Sequence, residues 1–329
     1  MKKKLTQSGK PHPGNAKDLY QQITDKVVAA LENGTAPWKR PWRSVNNERG
    51  GIVPSNALTG NAYSGVNILL LWMSAEERGF STNRWLTYRQ AQQLGGQVRK
   101  GEQATGAVIY KPLQVQAEDR DGNKLLADDG QPLMVERAML KSLYLFNVLQ
   151  CDNLPAHLQV SAERIPDQEV QTLSAQTYNR VLAILNASGV QVTSAAQNRA
   201  FYSPNHDRIV MPLSRQFFTE ADYWATLLHE MVHSTGHASR LNREGITASS
   251  GKFGNPVYAF EELCAEMGSA FLCAHLEVLG EVNHESYIDH WLNVLKADKK
   301  ALFRACRQAR EASEYLLRLN SNDDNQRAA

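Results

Sequence analysis

The chain has 329 residues, 42% of them hydrophobic, enough for a sizeable core and more than one domain usually takes, so two domains are expected. No run of about 18 apolar residues could cross a membrane, and the basic start MKKKLTQSGK is not followed by the apolar stretch of a secretory signal. The net charge of +2 hides an asymmetry: residues 1–155 carry 20 basic and 14 acidic side chains, residues 156–329 carry 16 and 20, which makes the first half the candidate for a polyanionic partner.

In KDLYQQITDKVVAALENG, the apolar Leu19, Ile23, Val27, Val28 and Leu31 have helical spacing, and Gly34 stands where the helix should stop. The stretch TAPWKRPWRSVNNERGGIVPSNALTGNAYSG is rich in Pro, Gly and Asn and reads as a long irregular loop, a type that is usually functional. VNILLLWMSAEERG reads as a buried helix, and WLTYRQAQQLGG as a second one, capped by Thr87 and ending at Gly95-Gly96. AVIYKPLQVQ, the turn-like DRDGNK and ERAMLKSLYLFNV form a strand meander. CDNLPAHLQVSAERIPDQE is the expected linker, which places one domain at 1–155 and the other at 156–329. Beyond it come a helix closed by Gly189, short strands in VQVT, RAFYS and RIVMPL, and a helix ending in LLHEMVHSTGH. A second long helix, VYAFEELCAEMGSAFLCAHL, follows, and two more, near Tyr287–Ala297 and Lys300–Leu319, finish the chain. The fold class is therefore α+β.

His229-Glu230-x-x-His233 puts two imidazoles on one helix face, one turn apart, where both can hold a single Zn²⁺ or a similar divalent ion such as Mn²⁺. Glu230, beside the first imidazole, is placed to take a proton from a metal-bound water, as the catalytic base. The third ligand should come from another segment, and FEELCAE offers Glu261, Glu262 and Glu266. His237 is the competing ligand, although it follows Gly236 directly, two positions early for the longer motif His-Glu-x-x-His-x-x-Gly-x-x-His. The pair Glu262 and Glu266 resembles the gluzincin arrangement. That resemblance implies Glu262 as metal ligand and Glu266 as the carboxylate that orients a ligand His, with Glu261 turned elsewhere on the helix. RIVMPL could serve as the edge strand that pairs with an extended substrate, or be a plain core strand. Tyr258 and His237 are the weak candidates for a transition-state donor. The cysteines Cys151, Cys264, Cys273 and Cys306 contain no Cys-x-x-Cys pair, which argues against a disulfide framework or zinc ribbon and for a reducing cytoplasm.

The first half holds Trp38, Trp42, Trp72 and Trp85. PWKRPW and NRWLTYRQ alternate aromatic and basic residues, the composition of a single-stranded nucleic-acid site: rings stack on unpaired bases while Lys and Arg follow the phosphates. Trp72, inside an apolar helix, is expected to be core. No base-reading motif is present, so binding should tolerate any sequence.

Together, NGTAPWKRPW, NALTGNAYSGVN, WLTYRQAQQLGGQVRKGE with VIYK, HEMVHSTGHASRLNR and EELCAEMGSAFL resemble the ArdC family of plasmid antirestriction proteins over about residues 17–320. The same first module occurs in plasmid-transfer primases, but no replicative primase motif is present here. The resemblance implies a domain that binds single-stranded DNA, followed by a zincin-like metallopeptidase domain, with protection of incoming plasmid DNA from host restriction during conjugation as the role. The DNA-binding residues it implies are Trp38, Lys39, Arg40, Trp42, Asn67, Trp85, Tyr88 and Lys100. Two other readings stand beside it: a metallopeptidase that cleaves a host protein such as a restriction subunit, and a DNA-shielding protein whose metal is only structural.

Overall fold

The computed structural model describes residues 18–38, 51–119, 123–127, 129–158, 172–247, 255–280, 282 and 287–327. The first half opens with α1 (Leu19–Glu32), whose Asp18 side chain accepts from the Tyr20 N–H and whose buried face is Ile23, Val27, Val28 and Leu31. Next come β1 (Ser55–Asn56), α2 (Val66–Glu77), β2 (Arg84–Leu86), α3 (Tyr88–Gln93) and β3 (Gln97–Val98). The expected cap of α3 is present as a full capping box between Thr87 and Gln90. The strands β4 (Thr105–Gln116) and β5 (Met134–Asn147) pair antiparallel along their length, and β6 (Cys151–Asp152) follows. One sheet has the order β1-β2-β5-β4, while β3 and β6 form a small separate ribbon. The stretch expected as a linker therefore starts inside that ribbon; its residues 159–171 lie outside the described residues.

The second half contains α4 (Ala175–Ser188), capped by Ser174 and closed by Gly189 in the left-handed conformation. A three-stranded sheet follows, of β7 (Gln191–Ala195), β8 (Phe201–Ser203) and β9 (Arg208–Pro212), in the order β7-β9-β8. The strand of RIVMPL is thus central, parallel to β7 on one side and antiparallel to β8 on the other. The edge strands are β7 and β8, because β9, paired on both sides, has no free backbone to offer. Among the described residues five helices follow: α5 (Glu220–Thr235), α6 (Glu244–Thr247), α7 (Pro256–Leu276), α8 (Ile288–Ala297) and α9 (Ala301–Arg327). No helix among the described residues is long and apolar enough to cross a membrane.

The largest apolar cluster belongs to neither half alone. It joins Val27, Leu31 and Trp38 with Leu69 and Trp72 of α2, and these with Met267 and Phe271 of α7, Trp291 of α8 and Leu302 and Cys306 of α9. The nearly all-round apolar sequence of α2 has this cause: the helix is covered by β4 on one side and by α9 on another. Trp72, expected in the core, is buried there, and its indole N–H donates to the Ile52 carbonyl at 3.0 Å. A second cluster, around Leu227, Leu228, Met231, Ile209 and Leu272, packs α5 and α7 against the small sheet.

Candidate metal centre

α5 is started by Thr219, whose hydroxyl accepts from the Asp222 N–H, with Glu220 and Asp222 near its positive end. Its second half is buried, which brings His229, Glu230 and His233 inside the protein. α7 begins at Pro256 behind an Asn255 cap and passes close to α5: a Cβ on Gly268 would lie 2.9 Å from Val232 Cγ1, so a larger residue there would have to push Val232 aside.

The crossing assembles three donors. The Nε2 atoms of His229 and His233 are 3.1 Å apart. Glu262 spans them, Oε2 at 3.6 Å from His229 Nε2 and Oε1 at 3.6 Å from His233 Nε2. These three buried side chains form a possible metal-ligand cluster among the described residues. His237 is not in it; its Nδ1 is 2.8 Å from the Ser239 hydroxyl and caps a local turn. Two imidazoles and a carboxylate converging away from water suit a divalent ion. Glu262 is held well below the usual carboxylate range: burial opposes its charge, but the charge of His233 and hydrogen bonds from both imidazoles outweigh that.

The carboxylate that orients His233 is Glu261. Its Oε1 lies 3.1 Å from His233 Nδ1, and with the proton on Nδ1 the Nε2 lone pair faces the cluster. The expectation that Glu261 would turn elsewhere is therefore corrected. Residues 261 and 262 diverge by about 100° around the helix axis, but α5 lies in the angle between them, so each reaches His233 from a different side. Glu266, expected in the orienting role, is buried one turn beyond Glu262, and its charge acts on His229.

Glu261 in turn is gripped by Arg243 from the loop after α5. Arg243 Nε donates to Oε2 at 2.9 Å and Nη2 to Oε1 at 2.6 Å, while Nη1 reaches Thr235 Oγ1 and Nη2 the Val232 carbonyl. Burial would raise the Glu261 pKa, but the Arg243 charge and hydrogen bonds hold it below the ordinary value. A second arginine, Arg240, binds Asp207 and the Tyr202 hydroxyl and donates from Nε to the Ser234 carbonyl, tying the β8–β9 turn to the end of α5. Neither arginine was found from the sequence. The available signal was charge balance: three carboxylates in an otherwise apolar helix, facing two histidines, require a further cation.

Glu230 is buried beside the cluster and lies by the edge strand β8, from which the Tyr202 backbone hydrogen-bonds to it. Burial, with the neighbouring charge of Glu262, raises its pKa, which increases its affinity for a proton. Tyr258 stands one turn before Glu262 on α7, with its ring 6.2 Å from that of Tyr287.

The residues expected to touch DNA separate into groups. Trp38 is 2% exposed and meets Trp291 edge-on at 5.5 Å; Trp85 is fully buried beside Phe80 and Leu145. Both are core residues, because a flat ring of that size gains more from burial than a marginal loop site offers. Asn67 is also structural: its side chain donates to the Val108 carbonyl and accepts from the Val108 N–H, both at 2.8 Å, fastening α2 to β4. Tyr88 is 45% exposed, and its hydroxyl accepts from Gln97 Nε2, which brings α3 beside the turn that carries the exposed Lys100. Lys39, Arg40 and Trp42 lie outside the described residues.

This donor set, on a helix beside a small sheet with an edge strand, defines a zincin-like metallopeptidase domain; residues 179–308 match the family model of zincin-like metallopeptidases, and residues 17–146 match that of the N-terminal domain of anti-restriction factor ArdC. The chain is 31% identical to an uncharacterized protein, y4eC, of Sinorhizobium fredii, over 92% of this chain and 93% of that one. It superposes on the metal-free crystal structure of the antirestriction protein ArdC from plasmid R388 with a TM-score of 0.72 at 34% identity, covering 93% of this chain and 99% of that one. The Mn(II)-bound form of the same protein gives a TM-score of 0.70. The chain belongs to the ArdC antirestriction family. It is also 36% identical over 310 residues to the DNA primase TraC of Escherichia coli, but spans only 20% of that primase's length.

Proposed function

We propose that this chain is an antirestriction protein that binds single-stranded DNA through its first half, shields incoming plasmid DNA during conjugation, and hydrolyses a peptide bond at the site in its second half. The observation that supports hydrolysis is Glu230: a structural metal needs ligands only, whereas here a buried carboxylate of raised proton affinity stands next to them and lies by a strand edge. A divalent ion, Zn²⁺ or Mn²⁺, held by His229, His233 and Glu262 would supply a Lewis acid and an acidified water. Glu230, buried beside these ligands, would serve as the base for that water and as the proton donor to the leaving amine. Glu261, locked by Arg243, holds His233 through Nδ1 and leaves its Nε2 facing the cluster, where it would serve as a ligand. β8 offers its free edge to an extended substrate.

DNA binding rests on the basic first half and on the exposed group formed by Tyr88, Arg89 and Lys100, where one ring and two cations lie on neighbouring elements. The partners are then single-stranded DNA of any sequence and a protein substrate such as a host restriction subunit. The test is a conjugation assay into a restricting host with Glu230→Gln, after checking that the variant keeps its metal and DNA affinity. Loss of protection supports hydrolysis as the working step; full protection removes it and leaves shielding alone.

A further inference from the structure

A cavity of about 350 Å³ opens where the first half of the chain meets α7 and α9, and its walls include none of His229, Glu230, His233 and Glu262. Its volume is in the range of small-ligand sites, which favour junctions of this kind. The first half supplies Tyr63, Ser64 and Ile68. The Tyr63 ring is held in place by Asn56, whose Nδ2 donates to its hydroxyl at 3.1 Å. α2 begins beside these residues, at Gly65, with no side-chain cap on its first N–H groups. From α7 comes His275. Burial, with the charge of Arg180, pushes the His275 pKa down, and its ring makes no hydrogen bond to another described residue. A neutral imidazole can donate from one nitrogen and accept at the other. α9 turns a single face to the cavity, with Arg310, Glu314, Leu317 and Arg318 on it. Arg310 Nη1 is 3.7 Å from the Glu314 carboxylate. Arg318 donates from Nε to the Glu314 carbonyl at 3.1 Å, which leaves its two terminal NH₂ groups uncommitted among the described residues.

The walls thus join apolar surface to two guanidinium groups balanced by one carboxylate. An inorganic anion would use only the guanidinium groups, and a neutral hydrophobe only the apolar wall; an organic anion uses both. We propose that this cavity binds one nucleotide, with its phosphate on Arg310 and Arg318 and its base against Tyr63, Ile68 and Leu317. Glu314 and His275 are then the polar partners for the edge of the base. The nucleotide is either free or one unit of a single strand, since both present the same phosphate and ring. The choice of a nucleotide among organic anions rests on the reading of this chain as a single-stranded DNA binder. A strand anchored here would touch both halves of the chain at once.

The test is calorimetric titration of the full-length protein with each common deoxynucleoside monophosphate and with inorganic phosphate, beside fluorescence anisotropy of a labelled single-stranded oligonucleotide. At least one mononucleotide should bind the parent at one per chain, more tightly than phosphate does. Arg310→Ala with Arg318→Ala removes two cations from partly or fully exposed positions, so the melting temperature should stay close to the parent's. That variant should weaken mononucleotide binding about ten- to hundredfold. Leu317→Trp, which narrows the cavity at constant charge, should weaken it on the order of tenfold. Arg89→Ala with Lys100→Ala, outside the cavity, should leave it unchanged. No saturable binding of any mononucleotide, phosphate bound as tightly as every nucleotide, or parent-like binding by the Arg310 and Arg318 double variant would each overturn the proposal. If the double variant loses oligonucleotide affinity as well, the occupant is a unit of the strand; if it loses only the mononucleotide, the occupant is free. A parent that binds a mononucleotide but no oligonucleotide would overturn the single-stranded DNA reading and leave the pocket standing.

Discussion

Arg243 holds Glu261 by two hydrogen bonds, at 2.9 and 2.6 Å, and Glu261 holds His233. Both charged partners are removed from water, Glu261 at 1% exposure and Arg243 at 5%. A buried pair of this kind adds little net stability, but losing one member leaves a bare charge inside the protein. Arg243→Ala is expected to destabilise the fold by about 3–5 kcal/mol and to weaken metal binding as His233 loses its fixed orientation. Denaturant melts and metal titration check the two effects separately; a variant as stable as the parent would contradict the account.

Gly245 controls the same contact from outside. A Cβ there would fall 2.4 Å from Glu261 Cβ and 3.1 Å from its Oε2. Gly245→Ala must push α6 or Glu261 aside, at a cost of about 1–3 kcal/mol, and metal affinity should fall with it. Normal stability and normal affinity in this variant would show that the close approach is unimportant.

Glu230→Gln keeps the volume of the side chain and removes the base. Metal content should stay at the parent level, while any peptide hydrolysis should fall by about 10²–10⁴. The readout is single-turnover cleavage of a casein or peptide-library substrate by the metal-loaded protein. Equal cleavage by parent and variant would assign the base elsewhere.

Asp207 gives a dependence on pH. Its carboxyl is lowered from the ordinary 3.8 to about 2, first by the hydrogen bond from Arg240 and then by the Tyr202 hydroxyl. A depressed folded-state pKa contributes stability that is full above the unfolded value and is lost as the pH falls through the folded one. The stability difference between the parent and Asp207→Asn should therefore be constant above about pH 5 and shrink as the pH falls from about 4 to about 2. A difference that widened on acidification would have the wrong sign. Because Asp207 is partly exposed, added salt should reduce the difference at every pH.

On DNA, Arg89→Ala with Lys100→Ala should leave the melting temperature unchanged, weaken binding of an oligo-dT probe and reduce the slope of log affinity against log salt by about 1–2. Trp85→Ala should behave differently, costing about 3–5 kcal/mol of stability and affecting DNA only through unfolding. An intact Trp85→Ala fold with selective loss of DNA binding would restore Trp85 to the surface role first expected of it.

The periodicity of α1, the caps of α3 and α4 and the His229–His233 spacing were legible because each is a local property of the backbone. Glu262 was legible through the gluzincin resemblance, in which two carboxylates a four-residue step apart share one helix face. Glu261 was not, since one helix says nothing about the direction from which another crosses it, and that direction decides whether one acidic neighbour or two face the histidines. Trp38 and Trp85 misled for a related reason: aromatic residues next to Lys and Arg in an irregular stretch look the same whether the rings turn outward to bases or inward to Trp291 and Phe80. RIVMPL reads as a strand, but its place between two others depends on pairings 17 residues away on one side and 5 to 9 on the other.

The apolar cluster shared by both halves also makes the chain a single cooperative unit. A cut near residue 155 would strip Met267, Phe271 and Trp291 of the side chains that cover them and open a wide greasy scar on each fragment. Heat should accordingly melt the protein in one transition, and either fragment made alone should aggregate or fail to fold. The same indivisibility limits how this block can be inherited: an open reading frame that gains only its front or only its back gains an insoluble piece, so recombination is expected to move the whole block or none of it.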